Sequence, residues 1–143
     1  MLQKAGFFWV LIILSLFSAG CLTKNVQIIQ DKTGTWNLTA FEARNIIESN
    51  SSNSNYIILD VRTRNEFDSG HIAGSLSIDV SSDSFNDEIL KLPMNKDYII
   101  YCQSGRRSQK AVDKMKKMGY SKLYHIIGGI EAWKRAGFTL TER

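Results

Sequence analysis

Two short apolar runs stand out along the chain, Tyr56-Ile-Ile-Leu-Asp60 and Asp97-Tyr-Ile-Ile-Tyr101. Continuous runs of this length are what strands covered on both faces look like, because neither side of the pleat meets water. Leu123 to Ile127 predicts a third strand, and Ser75 to Val80 a weaker one. Between these runs the apolar spacing changes to that of helices. Thr39-Ala-Phe-Glu42 has the form of a capping box, in which Thr39 accepts from the N3 amide while Glu42 reaches back. The helix it opens runs through Phe41, Ile46 and Ile47. Arg64 to Ser69 fits one or two helical turns closed by Gly70. Phe85 to Leu92 is amphipathic at helical spacing and stops at Pro93, the only proline. Ser108 to Met118 puts Ala111, Val112, Met115 and Met118 on one face, with Gly119 as its stop. Ile130 to Ala136 forms a final helix after a Gly128-Gly129 turn. Strands alternating with helices predict an α/β fold, a single domain with a central parallel sheet and helices on both faces.

The first 21 residues follow another pattern. Lys4 supplies a small positive charge, an uncharged apolar run extends from Ala5 to Phe17, and the small residues Ser18-Ala19-Gly20 lead into Cys21. This is the layout of a secretory signal. Ser-Ala-Gly-Cys resembles a lipobox, whose cysteine is thioether-linked to diacylglycerol, although Ser18 departs from the large aliphatic residue usual there. A lipidated Cys21 would carry enough acyl chain for stable anchoring. The alternative is an uncleaved transmembrane anchor, since the stretch from Ala5 to Thr23 approaches the roughly 20 residues a bilayer needs. Either reading places the domain outside the cytoplasm at a membrane surface. Residues 22–35 read as a polar linker with a brief apolar patch, and the folded domain is expected over 36–143.

Composition changes this picture little. Of the 143 residues 43% are hydrophobic, enough for a real core, and the net charge of +4 is mild. Lys114, Lys116 and Lys117 fit a solvated helix face. A nucleic-acid surface would need a longer basic stripe with interleaved aromatics. The two cysteines, Cys21 and Cys102, form no CxxC pair and no cluster with histidine, so no metal site is expected. Trp36, Phe41, Phe67, Trp133 and Phe138 read as packing residues, and His71 and His125 stand isolated in sequence.

The chemistry concentrates after the second apolar run. Tyr101-Cys-Gln-Ser-Gly-Arg-Arg-Ser108 joins a buried strand to a helix, which puts Cys102 at the carboxyl end of a central strand, where open α/β sheets hold their ligands. Successive amides of such a loop, with the first amides of the helix, create a concave positive field. Gly105 gives the turn a permissive backbone. Arg106 and Arg107 add charge that does not titrate away. A thiol in this field should be depressed in pKa and available as thiolate, so nucleophile and anion cradle are one structure.

At these residues the sequence resembles the rhodanese family of sulfurtransferases. Leu59-Asp-Val-Arg62 with Glu66-Phe67, Gly70-His-Ile-Ala-Gly74 with Ile78, and Gly128-Gly-Ile-Glu-Ala-Trp133 with Gly137 carry the resemblance over about Leu38 to Phe138. It implies that Cys102 takes a sulfane sulfur from a small anionic donor (thiosulfate, polysulfide or a persulfide) and passes it to a thiol or cyanide acceptor, without cofactor. The amides from Gln103 through Ser104, Gly105 and Arg106 to Arg107 would form the cradle, with Arg107 as closing cation. Asp60, Arg62, Glu66 and His71 are expected to be architectural, with Arg62 bridging to Glu66. Sulfurtransferases of this fold have four residues between cysteine and closing arginine; the related phosphatases and arsenate reductases have five. Here the count to Arg107 is the shorter one. Phosphatase or arsenate reductase chemistry is therefore the lesser alternative, and a non-catalytic module that binds or senses persulfide is the other. No protein partner is identified.

Overall fold

The computed structural model describes residues 29–30 and 34–142 of the chain. The leader, Cys21 and most of the expected linker lie outside the described residues. In chain order the elements are β1 (Ile29–Gln30), β2 (Trp36–Leu38), α1 (Ala40–Ser49), β3 (Tyr56–Asp60), α2 (Arg64–Asp68), β4 (Leu76–Ser77), α3 (Phe85–Leu90), β5 (Asp97–Tyr101), α4 (Arg106–Lys117), β6 (Leu123–Ile126) and α5 (Gly129–Arg135). The strands form one sheet in the order β1-β2-β6-β5-β3-β4. Every pairing from β2 to β4 is parallel, and only β1 runs antiparallel, at the edge beside β2.

The apolar runs occupy the centre. Along β5, Tyr98 and Ile100 face one layer while Ile99 and Tyr101 face the other, the two-residue alternation of a pleated strand. Tyr98 and Ile100 pack with Phe85 and Ile89 of α3 and with Ala111, Val112 and Met115 of α4. Ile99 and Tyr101 pack with Ala40 and Ala43 of α1 and with Ile130 and Trp133 of α5. All four strand residues are fully buried, and each aliphatic one removed from water on both sides contributes about 1.5–3 kcal/mol. Among the described residues no helix is long and apolar enough to cross a membrane.

Three local differences from the sequence reading have physical causes. Ile29–Gln30, in the stretch read as linker, pairs with Trp36–Leu38, an element not expected at all. Two- and three-residue strands are too short to show a period. Ser75 to Val80 narrows to Leu76–Ser77 because Ile78 and Val80 turn inward to the core, while their amides still bond Asp60 and Val61 of the neighbouring segment. The helix expected from Ser108 begins at Arg106, since Gly105 takes φ +98° and acts as its N-cap. Cradle loop and helix therefore merge. The capping box of Thr39 with Glu42 is formed, and a second one, not read in the sequence, joins Thr63 with Glu66.

Candidate active site

β5 delivers its last residue, Tyr101, to the carboxyl edge of the sheet, and Cys102 follows at once. Its side chain is 1% exposed and lies against the α3/α4 layer. The loop then curls back so that the Gly105 amide donates to Sγ at 3.1 Å. That curl needs the left-handed backbone at Gly105, which a side chain would strain. The Ser108 hydroxyl lies 3.5 Å from Sγ. Burial would push the thiol up, but the Ser108 hydroxyl and the amides of Ser108, Gly105 and Ser104 outweigh it and hold Cys102 below the ordinary thiol value.

The outer side of the loop explains why its amides turn inward. The first turn of α5 donates to the loop carbonyls, Ile130 N to Cys102 O at 2.8 Å and Glu131 N to Gln103 O at 3.1 Å. With carbonyls satisfied from outside, the loop amides are left to face the sulfur. Gly129 is what permits this approach. A Cβ there would stand 2.3 Å from Cys102 O and 2.8 Å from Gln103 O, and its φ is +56°. Gln103 Nε2 also donates to Glu131 Oε1 at 3.2 Å. A polar recess of about 650 Å³ opens over the loop, lined by Gln103, Ser104, Arg106, Arg107, Lys110 and Glu131.

The carboxylates and arginines pair differently from the sequence reading. Arg62 does not bridge to Glu66. Its guanidinium turns back onto Asp60, with Nη2 to Oδ2 at 2.7 Å, and also donates to Gly70 O at 2.7 Å. Both residues are buried, and Asp60 Oδ1 takes the Arg62 amide as well, so the two-residue spacing favours a self-contained turn. Glu66 is thereby released to Arg107, which donates to it twice, at 2.7 and 2.6 Å. These two bonds are the main cause holding the Glu66 carboxyl at about 2; burial opposes them and the Thr63 donors add to them. Arg107 closes the loop as one half of an ion pair with α2. His71 donates from Nδ1 to Phe67 O at 3.0 Å and stacks on the Phe67 ring with centroids 3.8 Å apart. Arg106 is exposed at the rim of the recess.

Two residues at this site went unread in the sequence, Ser108 as a contact of the sulfur and His125. His125 sits on β6 opposite Ile100, two residues before Cys102, and its Nε2 is 3.0 Å from Ser108 Oγ. The signal was a polar residue inside the apolar run Leu123–Ile127. Among the described residues no group of three or more His, Cys, Asp or Glu could hold a metal ion.

The family model for the rhodanese-like domain matches residues 40–136, more than half of the chain. The chain belongs to the rhodanese-like domain family. It is 33% identical over 82 residues to the thiosulfate sulfurtransferase GlpE of Stutzerimonas stutzeri, covering 57% of this chain and 73% of that one. It is 37% identical over 78 residues to the probable adenylyltransferase/sulfurtransferase MoeZ of Mycobacterium tuberculosis, covering 54% of this chain. The match spans only 20% of MoeZ, a much longer protein. The crystal structure of a rhodanese-like domain protein from Staphylococcus aureus superposes with a TM-score of 0.61 at 29% identity, over 75% of this chain and 97% of that one. The chain is thus a rhodanese-like domain whose relatives include proteins named sulfurtransferases.

Proposed function

We propose that the protein is a sulfurtransferase in which Cys102 carries the sulfur as a persulfide. The Cys102 thiolate attacks the outer sulfur of a small anionic donor. With thiosulfate, a new S–S bond forms to Sγ, the old S–S bond breaks, and sulfite leaves with the electron pair. The outer sulfur then bears the negative charge, and the loop amides receive it. A nucleophilic acceptor, cyanide or a thiolate, attacks that outer sulfur and releases Cys102 as thiolate. Atoms and charge balance without an external oxidant or cofactor. The observation that carries the reading is the cradle itself, with Sγ buried and held by the Gly105 amide inside a loop that closes at Arg107.

The phosphatase reading has less support. Arg107 already gives two donors to Glu66, and a phosphate transition state wants that bidentate cation for itself. We further infer from the leader pattern that the domain works outside the cytoplasm, tethered to a membrane.

Two measurements test these readings. Full-length protein should transfer sulfur from thiosulfate or polysulfide to cyanide, and Cys102→Ser should abolish this. Intact mass spectrometry of membrane-extracted protein should show 32 Da added at Cys102 for one sulfur (about 32 by atomic mass), together with diacylglycerol at Cys21. Absence of any Cys102 persulfide with either donor overturns the catalytic reading, and an unmodified Cys21 in a cleaved or soluble chain overturns the tether.

A further inference from the structure

Backbone amides make up most of the polar surroundings of Cys102, but a connected pair of side chains lies behind the loop. Ser108 Oγ is 3.5 Å from Cys102 Sγ and 3.0 Å from Gly105 O. His125 Nε2 is 3.0 Å from that hydroxyl and 3.1 Å from Gly105 O. On the far side of the ring, Nδ1 is 3.2 Å from Asn37 Oδ1. Ser108, His125 and Cys102 are all buried, at 0%, 7% and 1% exposure, so these contacts face little competition from water.

A serine hydroxyl has one proton to give. When Nε2 carries a proton, the ring donates toward Gly105 O and Ser108 Oγ; the one Ser108 proton then has Gly105 O at 3.0 Å and the sulfur at 3.5 Å as acceptors, and the ring N–H on Gly105 O tips it toward the sulfur. When Nε2 is bare, Nε2 and Gly105 O, both at 3.0 Å, draw the Ser108 proton away from the sulfur at 3.5 Å, and the sulfur loses a donor. Asn37 suits either case, because its amide offers an acceptor to a protonated Nδ1 and, turned over, a donor to a bare one. Around the ring lie, among others, Asn37 from β2, Ser108 from α4, Gly105 from the loop and, across the ladder, Ile100 of β5. Through Ser108 it reaches the ionising thiol of Cys102.

We propose that His125 is a positioning residue for the reacting sulfur, its Nε2 proton directing the Ser108 hydroxyl onto Cys102 Sγ. The inference rests on Cys102 being the reacting group. Its consequence falls mainly on the second half of the reaction. There Cys102 departs as a thiolate, and a donor on Sγ makes it a better leaving group.

The test uses full-length protein and the variants Ser108→Ala, His125→Leu, the double variant and His125→Gln. Alkylation by iodoacetamide is followed against pH on the Cys102-containing peptide. Ser108→Ala and His125→Leu should each raise the apparent thiol pKa by about one, a roughly tenfold loss of thiolate below it. The double variant should move no further than either single one, and His125→Gln, which keeps an N–H donor, should stay near wild type. Additive shifts, or a His125→Leu value equal to wild type, overturn the proposal. So does a His125→Gln value equal to His125→Leu. If His125→Leu does not fold, the wild-type protein still decides: nitrogen NMR of the His125 ring must show a protonated Nε2, and a bare Nε2 overturns the relay. Alkylation needs no sulfur donor. Wild-type protein inactive toward cyanide but showing these shifts therefore sinks the transfer reading alone.

Discussion

Glu66→Gln isolates the ion pair that closes the cradle. Gln keeps the shape of Glu and can still serve the capping box with Thr63, so α2 should keep its N-terminus. What disappears is the charge facing Arg107. A carboxyl held at about 2 instead of 4.5 corresponds to an upper bound of about 3.4 kcal/mol favouring the charged form. The two side chains are 28% and 32% exposed, so solvent screening reduces this to about 1–2 kcal/mol. The sign follows from proton binding. Between pH 4.5 and 2 the unfolded carboxyl takes up a proton that the folded one refuses, so the contribution is complete above 4.5 and lost on the way down to 2. Urea unfolding of both proteins at several pH values should show Glu66→Gln less stable by about 1–2 kcal/mol near pH 7. The two midpoints should converge as pH falls below 4.5. A gap near pH 7 that is absent, or one that persists unchanged at pH 2.5, refutes the reasoning.

Two further substitutions probe the supports of the loop. Gly129→Ala puts a methyl against the Cys102 and Gln103 carbonyls and strains φ, so about 2–4 kcal/mol of stability should be lost; thermal melting checks this, and an unchanged melting temperature would contradict the close approach. Asp60→Asn leaves the buried Arg62 without its counter-charge and should cost about 3–5 kcal/mol, whereas replacing both residues by apolar ones of similar volume should cost less. Denaturant titration of the single and double variants decides between these outcomes.

How much of this was legible in the sequence depends on the range of the interaction. Tyr56–Asp60 and Asp97–Tyr101 announced themselves because a strand buried on both faces has no polar residue to interrupt it. The capping box of Thr39 and Glu42 was also local, complete within four residues, and that of Thr63 and Glu66, equally local, went unread. The cradle could be read from Cys102 to Arg107 because its backbone geometry is carried by one continuous segment. Pairings across the chain were not legible. Glu66 lies 41 residues before Arg107, and neither neighbourhood points to the other, whereas the Asp60–Arg62 turn is local and went unread. His125 comes to Ser108 only through the parallel register of β5 and β6, a tertiary fact. β1 and β2 were missed because so few residues cannot express a period, and their place comes from pairing with β6 and with each other.

The corrected pairing alters how charge is distributed over the cradle. Two arginines in the loop suggest a strongly cationic pocket, yet the guanidinium of Arg107 faces the carboxylate of Glu66 at 2.6 Å. At close range such a pair presents a dipole instead of a full positive charge. Among the described residues lining the recess, the other cations are Arg106 and Lys110 at the rim, with Glu131 beside them. The field at the sulfur is thus largely built from amides, which supply partial charges at fixed positions and cost no reorganisation when a single negative charge arrives. A transferring phosphoryl group spreads its charge over three equatorial oxygens and is met by a fork of N–H donors or by metal ions. Arg107 has two of its five N–H donors committed to a carboxylate held at about 2, which leaves only the remaining ones for such a group. When the bound anion is one atom of sulfur, the loop amides meet it directly and Arg107, coupled to Cys102 by charge, closes the loop.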